Sequence, residues 1–475
     1  MARVRRAIPG AWWRALGSAG LSQERWESLD PLVRRAVKVG FWTIVGIVLV
    51  AIGGVFKLSV LLAALIVLVL MIPPYERLPY GRFIPPLAVI VLVATYPFYL
   101  GGLFQSPIFG PFPAMDSVFV MLIYVTMALG LNIVVGYAGL LDLGYVAFYA
   151  IGAYTVGWFA SQQFAHRSIH FGAVDVKGTI PGIHISIWAL LIVAGLFALL
   201  AGIIIGFPTL RLRGDYLAIV TLGFGEIVPQ VANNGDHLFG TGFNLTGGTE
   251  GLTALDTPGF GHTLDRATGG WLPANFASNS NAIRLYFWSA LALVLFTVFC
   301  SYRLRDSRLG RAWVAIREDE VAAAAMGVPL MRIKTWAYAL GAFFGGMAGA
   351  FYASWKTAAF PNEFMFNFSV FVLCMVILGG MGSLWGVVVG AAFLSYLDRE
   401  GLSNIGAWLN NHFGSTGSWG HVWGELDVPK YEFGIFGAIL VIVMLLRPEG
   451  LIPSSRRKVE LHEGVSDTSL YDASH

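Results

Sequence analysis

Charge is what this chain has least of. Asp, Glu, Lys and Arg make up 12% of its 475 residues, against roughly 25% in soluble globular domains. Cysteine occurs twice, as Cys300 and Cys374, each inside an apolar run. That excludes a disulfide framework or a thiolate metal site, and both read as small core residues. There is no GxxxxGK[ST] phosphate loop, HExxH, GxSxG or His/Cys cluster at ligand spacing, so the chain is not expected to hydrolyse ATP or to be an enzyme. The formal charge of +3 is an orientation signal and gives no reason to invoke nucleic acid. The first forty residues have no apolar core before Phe41, and a cleavable signal peptide is not expected.

Apolar residues fill the space that charge leaves, at 56% of the chain. Runs near the length needed to cross a bilayer lie at about Phe41 to Phe56, Leu58 to Ile72, Ile84 to Phe104, Val118 to Val135 and Leu143 to Ala160. Five more lie at Ile183 to Phe207, Tyr216 to Val231, Leu285 to Tyr302, Thr335 to Trp355 and Phe433 to Leu446. A glycine-broken stretch from Phe366 to Leu397 has two arms, each short for a span, which predicts a re-entrant hairpin or a pair of tilted half-helices. The expected fold is an all-α polytopic membrane protein of about ten transmembrane helices plus this hairpin.

Residues 1–40 hold eight basic and three acidic residues. Arg77, Arg82, Arg211, Arg213, the 301–334 stretch and the group Arg447, Arg456, Arg457 and Lys458 are the other basic clusters. All fall on one side if the ten spans cross and the hairpin returns to the side it entered. The positive-inside rule makes that side the cytoplasm, with both termini on it. The loops at 161–182, 233–284 and 398–430, rich in Gly, Asn, Ser and Thr, then lie outside. The expected order is a basic arm (1–40), a two-span extension (41–83), the transmembrane domain (84–453) and a cytoplasmic tail (454–475). Trp12, Trp13 and Trp26 among arginines fit a surface helix on anionic lipid or a solvated arm equally well.

Two constellations carry function. Between Ser301 and Lys334, seven basic and four acidic residues surround RAWVAIREDEVAAAAMGVPL, a helix that Gly327, Val328 and Pro329 should stop. Small residues beside dense charge suit docking to a soluble partner; the plainer reading is a solvated loop. The second constellation is glycine and charge within spans. Gly136, Gly139, Gly144 and Gly152 surround Asp142 and Tyr145, while Gly223, Gly225 and Pro229 surround Glu226. A carboxylate at membrane depth costs at least roughly 2.5 kcal/mol unless it is paired or hydrated. Asp142 fits a pathway or the N-cap of a helix beginning at Leu143. Glu226, where Pro229 should break or kink the helix, fits a gate or a structural polar contact. Asp215, after Arg211 and Arg213, reads as an ion pair or an N-cap. A glycine-rich loop from Asn233 to Gly251 holds Gly247 and Gly248. The cluster Gly379, Gly380, Gly382, Gly386 and Gly390, set beside Gly136 to Gly152, suggests an inverted repeat.

Six stretches carry a resemblance: GLNIVVGYAGLLDLGYVAFYAIGAY (Gly130 to Tyr154), GFPTLRLRGDYLAIVTLGFGEIV (Gly206 to Val228), LTGG (Leu245 to Gly248), LGRAWVAIREDEVAAAAMG (Leu309 to Gly327), VILGGMGS (Val376 to Ser383) and LRPEGLIP (Leu446 to Pro453). In this order they resemble the bacterial branched-chain amino-acid ABC permeases of the LivM type, from about residue 85 to 455. The resemblance implies a bacterial inner-membrane subunit that pairs with a second, LivH-like permease. Two cytoplasmic ATPases carrying ATP and Mg would dock beneath the pair, and a periplasmic binding protein would deliver Leu, Ile or Val. This chain itself would hold no cofactor. The loop 303–334 becomes the coupling loop, with Arg311, Arg317, Glu318, Asp319, Glu320, Ala324 and Gly327 toward the ATPases. It is similar to the EAA loop of ABC importers, although Glu320 stands seven positions before Gly327 instead of six. The expected pathway residues are Asp142, Gly144, Tyr145, Gly223, Gly225, Glu226, Gly247 and Gly248. Related permeases carry urea, short amides or other amino acids. A proton-coupled secondary transporter and a membrane-bound enzyme are the readings from other classes, and neither needs a coupling loop.

Overall fold

The computed structural model describes residues 90–91, 93–99, 114–164, 168–172, 180–212, 215–236, 244–260, 279–413, 428–447 and 449–452. The chain divides into two units, 1–112 and 113–475. In the first, the described residues include one helical turn, Tyr96–Tyr99. The expected spans at 41–56 and 58–72, the N-terminal arm and the C-terminal tail lie outside the described residues, as does most of 84–104.

The second unit is mostly helical. Helix α1 (Met115–Asn132) runs into a π-turn (Ile133–Tyr137), followed by α2 (Val146–Phe159), α3 (Ile187–Thr209), α4 (Asp215–Asn233) and α5 (Asn279–Arg305). Two short helices, α6 (Arg308–Glu318) and α7 (Glu320–Ala325), lead into α8 (Leu330–Lys356). Then come α9 (Phe366–Gly379) and α10 (Leu384–Tyr396), a π-turn (Leu397–Gly401), α11 (Leu402–Phe413) and α12 (Glu432–Leu446). Among the described residues, four helical stretches are long and apolar enough to cross a membrane: Met115–Tyr137, Ile187–Thr209, Ala282–Arg305 and Val428–Leu446.

Glycine decides how these helices pack. A Cβ at Gly152 would lie 1.9 Å from the Gly346 carbonyl, and one at Gly349 would lie 2.0 Å from that of Tyr149. The α2 and α8 backbones therefore touch, the close approach that small residues permit where lipid supplies no hydrophobic drive between helices. Helix α1 is almost wholly buried, whereas α12 is almost wholly uncovered. Its Val441, Ile442, Leu445 and Leu446 form an exposed apolar band, suited to face lipid because the interior backbone groups of a helix are paired within it.

Several expectations are corrected. The fold is not purely α. Strands β1 (Ala160–Ser161), β2 (Ser168–Phe171) and β3 (Gly182–Ile185) form one small sheet, so the span expected from Ile183 begins as a strand and turns helical only at Ile187. A second pair joins β4 (Leu252–Thr253) to β5 (Ala358–Ala359). These sheets cap the end of the helices remote from α6 and α7; α8, 27 residues long and so about 40 Å, separates the two ends. The 366–397 stretch is two helices parted at Gly380 (φ 114°) and Gly382 (φ 78°), and the second arm continues through its π-turn to Phe413. Helix α4 runs unbroken through Pro229. The carbonyl that this proline cannot serve belongs to Gly225, which has no side chain to clash with the displaced backbone.

Candidate functional site

The 303–334 segment forms two helices, not one. Ser307 accepts the Gly310 N–H (3.2 Å) and starts α6. Trp313 is fully buried, and its Nε1 donates to the Ile333 carbonyl (2.8 Å). The single expected helix breaks at Asp319 (φ −152°, ψ 110°). Its carboxylate accepts the Val321 and Ala322 N–H groups (2.8 and 3.0 Å) and so caps α7. At the other end, Gly327 adopts φ 82°; its N–H reaches the Ala324 carbonyl (2.9 Å) and that of Val328 the Ala323 carbonyl (3.1 Å). This is the glycine stop that the sequence predicts.

Two residues expected to face a partner point inward instead. Arg317 Nη1 donates to the Gly136 carbonyl (2.7 Å), and Glu320 pairs with Lys334 (2.7 Å), a lysine only 5% exposed. The cause is local. The chain leaves helical geometry after Tyr137, so the Gly136 carbonyl has no helical donor ahead of it, and a buried ammonium needs a counter-charge. Arg311, Glu318, Asp319, Ala324 and Gly327 remain on the outside. Between them project Val321 (67% exposed) and Met326 (85% exposed).

The Arg317 contact lies at a junction of four sequence motifs. Asn132 Oδ1 accepts the Gly382 N–H (2.9 Å). A Cβ at Gly139 would sit 2.5 Å from Arg317 Cγ, and one at Gly136 would sit 2.6 Å from the Gly382 nitrogen. The chain after α12 closes the same junction, with Leu451 N–H on the Leu378 carbonyl (2.9 Å) and Ile452 N–H on that of Gly379 (3.2 Å). The two glycine clusters thus meet face to face.

Residues 138–145 connect the π-turn to α2 without helix, yet no donor among Leu143, Gly144 and Val146 is wasted. Thr221 Oγ1 accepts from Leu143 (3.1 Å), Asp142 Oδ1 from Gly144 (2.9 Å) and Ser369 Oγ from Val146 (2.9 Å). Irregular backbone is tolerated at membrane depth only where protein supplies such partners. Asp142 is fully buried, and the helix it was expected to cap begins at Val146, not Leu143. It fastens a turn because Gly144 packs directly on α4, where a Cβ would lie 2.3 Å from the Thr221 carbonyl.

The expected pathway residues separate into three places. Asp142, Gly144, Tyr145 and Gly225 meet in the packed interior, where the Tyr145 hydroxyl donates to the Gly341 carbonyl (2.9 Å). Gly223 and Glu226 lie on the outer face of α4; a Cβ at Gly223 would meet nothing within 4 Å, and Glu226 is exposed beside Leu222, Ile227 and Gln230. Gly247 and Gly248 build a turn at the remote end, with φ 76° and 59°, held to α4 by Thr246 Oγ1 on the Ala232 carbonyl (2.7 Å). Asp215 begins α4; its side chain lies outside the described residues. Sequence reasoning missed Asn132, Thr221 and Ser369, whose only signal is a polar side chain inside an apolar run, and took Lys334 only as the end of the charged segment.

Apolar helices packed through glycine, irregular backbone satisfied inside the protein, and a charged helix pair held at one end define a helical membrane permease. A family profile described as the branched-chain amino acid transport system / permease component matches residues 114–444. The chain is 36% identical over 388 residues to the high-affinity branched-chain amino acid transport system permease protein LivM of Escherichia coli K12, covering 80% of this chain and 77% of that one. It is 27% identical to a probable LivM permease of Methanocaldococcus jannaschii, covering 70% and 90%. It is 26% identical to the LivH permease of Salmonella typhimurium over 181 residues, covering 38% and 50%. No solved structure matches. The chain belongs to the branched-chain amino acid transport system permease family, whose members are transport components and not enzymes.

Thr221→Val with Ser369→Ala should leave two buried N–H groups unpaired at about 1–3 kcal/mol each. The expected result is a lower melting temperature of the purified protein, with Thr221→Ser in the Ser369→Ala background recovering only the part due to Leu143; an unchanged melting temperature would mean that the 138–145 segment does not depend on these partners.

Proposed function

We propose that this chain is the permease subunit of a binding-protein-dependent ABC importer and forms half of the pathway for branched-chain amino acids. Family membership and the names of its relatives support the cargo. The observation that carries the mechanism is the α6–α7 pair. Its base is pinned by Arg317, Trp313 and Lys334, and its tip presents Val321, Ala322, Ala324, Ala325 and Met326 to the outside. A rigid base under an exposed apolar tip suits docking into a groove of a cytoplasmic ATPase, and motion of such a tip reaches the membrane helices without slack. Of the seven expected coupling residues, Arg317 and Glu320 then anchor the element, while Arg311, Glu318, Asp319, Ala324 and Gly327 belong to its partner-facing side.

In this reading the partner permease is LivH-like, the likeness of this chain to LivH supporting two related halves. The α6–α7 end faces the cytoplasm of a bacterial cell with both termini on that side, and a periplasmic binding protein delivers cargo at the sheet-capped end. ATP and Mg stay on the motor subunits. The outer face of α4 lines the pathway or its partner interface, since a carboxylate such as Glu226 is costly against lipid.

Met326→Glu or Ala324→Arg should cut leucine uptake by the reconstituted complex about tenfold or more, the size of a central interface residue's loss, with the ATPases recovered in lower yield. Normal ATPase recovery together with normal uptake would remove the case for docking. Glu226→Gln should reduce uptake more than it reduces the amount of assembled complex; unchanged uptake at unchanged assembly would make Glu226 a packing contact.

A further inference from the structure

Two imidazoles stand side by side in the sheet-capped end of the protein, remote from the α6–α7 pair and from every residue given a role above. β2 and β3 pair in parallel with His170 directly opposite His184, so both side chains leave the same face of the sheet. Their ring centres lie 5.0 Å apart, with the planes 25° from parallel. His184 is 2% exposed, and the Nε2 atoms of both rings are buried without a hydrogen-bond partner among the described residues. Buried polar atoms are rarely left so, and a missing water or ion is one of the few reasons for an exception.

The other nitrogen of His184 is already committed. Nδ1 lies 2.8 and 3.1 Å from the two carboxylate oxygens of Asp256, a residue that is itself buried. An ionised carboxylate only accepts, so Nδ1 carries the proton it donates, and in the neutral ring Nε2 is left as a bare lone pair. A carboxylate behind an imidazole is the arrangement that fixes the tautomer and ring direction of histidine ligands to metals. Gly182, two residues before His184 in the same strand, leaves room at that nitrogen; a Cβ there would stand 3.0 Å from it.

Two imidazoles that share one tetrahedral Zn²⁺ through nitrogens at about 2.0–2.1 Å hold their ring centres about 5 Å apart, the separation found here. We propose that His170 and His184 form a binding site for a borderline divalent transition-metal ion such as Zn²⁺, with Asp256 orienting His184 from behind. No third His, Cys, Asp or Glu joins them among the described residues. Water therefore holds the remaining positions, in place of the closed set of four of structural zinc, and the ion exchanges. Nitrogen ligands select against Mg²⁺ and Ca²⁺, which take oxygen. A bound ion staples β2 to β3 and, through Asp256, ties both to the segment that follows β4. The site is independent of the importer reading and is tested apart from it.

The test is equilibrium dialysis of the purified full chain, carrying no histidine tag, against micromolar Zn²⁺ in excess Mg²⁺. The unmodified chain should hold one Zn²⁺ more than His170→Ala or His184→Gln, since ions on other histidines are common to all three and cancel. Asp256→Asn, which keeps both imidazoles, should weaken the binding about ten- to a hundredfold, the usual cost of losing such a support. His184 is wholly buried, and should its variant not fold, the half-buried His170 is read by a second measurement. Zn²⁺ should then raise the melting temperature of the unmodified chain and leave that of His170→Ala where it was. Zn²⁺ uptake equal in the unmodified chain and in His170→Ala, or abolished by the excess Mg²⁺, would overturn the site. Uptake equal in Asp256→Asn would overturn the orienting role given to that carboxylate.

Discussion

The hydrogen bond from the Arg317 guanidinium to the Gly136 carbonyl ties the α6–α7 pair to the end of α1, beside the anchors that Trp313 and Lys334 make to α8. The π-turn at the end of α1 frees that carbonyl, and the α6–α7 pair supplies the donor. A hydrogen bond to a charged group is worth about 1.5–3 kcal/mol net, modest as stability but decisive as a linkage. Through Gly136 the contact reaches Asn132 and Gly382, and through Gly382 the turn between α9 and α10. The segment after α12 packs on the same turn. The helix pair therefore shares one network of contacts with α1, the α9–α10 hairpin and the end of α12.

The same economy of polar groups governs the interior. Where the backbone leaves helical geometry between Ala138 and Tyr145, a threonine, an aspartate and a serine from three parts of the chain replace the missing helical partners. Glycines make this possible by letting backbone lie on backbone, at Gly144 against α4 and at Gly152 and Gly349 between α2 and α8. Helices joined so closely have little freedom to slide separately. The elements with fewer protein neighbours are α4 and α12, and Glu226 faces outward from the first of these. Rigidity in the centre with polar groups on an uncovered face suits a half that rocks against a partner.

Much of this was legible in the sequence where a local rule acts. The apolar runs marked α1, α4, α5, α8 and α12 to within a turn or two, Gly327 marked its own helix stop, and Gly380 and Gly382 marked the break in the hairpin. Asp319 was not legible as a second cap, because one reading of REDEVAAAA is a continuous helix and only the turn of the chain toward Lys334 selects the other. Strand β3 was hidden inside an apolar run that periodicity assigns to helix. The inward turn of Arg317 depends on Gly136, some 180 residues away, and that of Glu320 on Lys334, 14 residues away and beyond the reach of i, i+4 spacing. Thr221 and Ser369 were invisible for the same reason: their role is fixed by which amides the fold leaves bare.

Arg317 allows the most direct measurement. In the reconstituted complex with binding protein, Arg317→Ala should leave the ATPases bound and hydrolysing ATP, because the tip of α7 proposed to dock them is untouched. Hydrolysis should no longer rise when liganded binding protein is added, and leucine uptake should fall with it, while Arg317→Lys should restore part of both. Stimulated hydrolysis and uptake equal to those of the unmodified complex would contradict the account, for the helix pair would then drive the membrane helices by some route other than the carbonyl of Gly136.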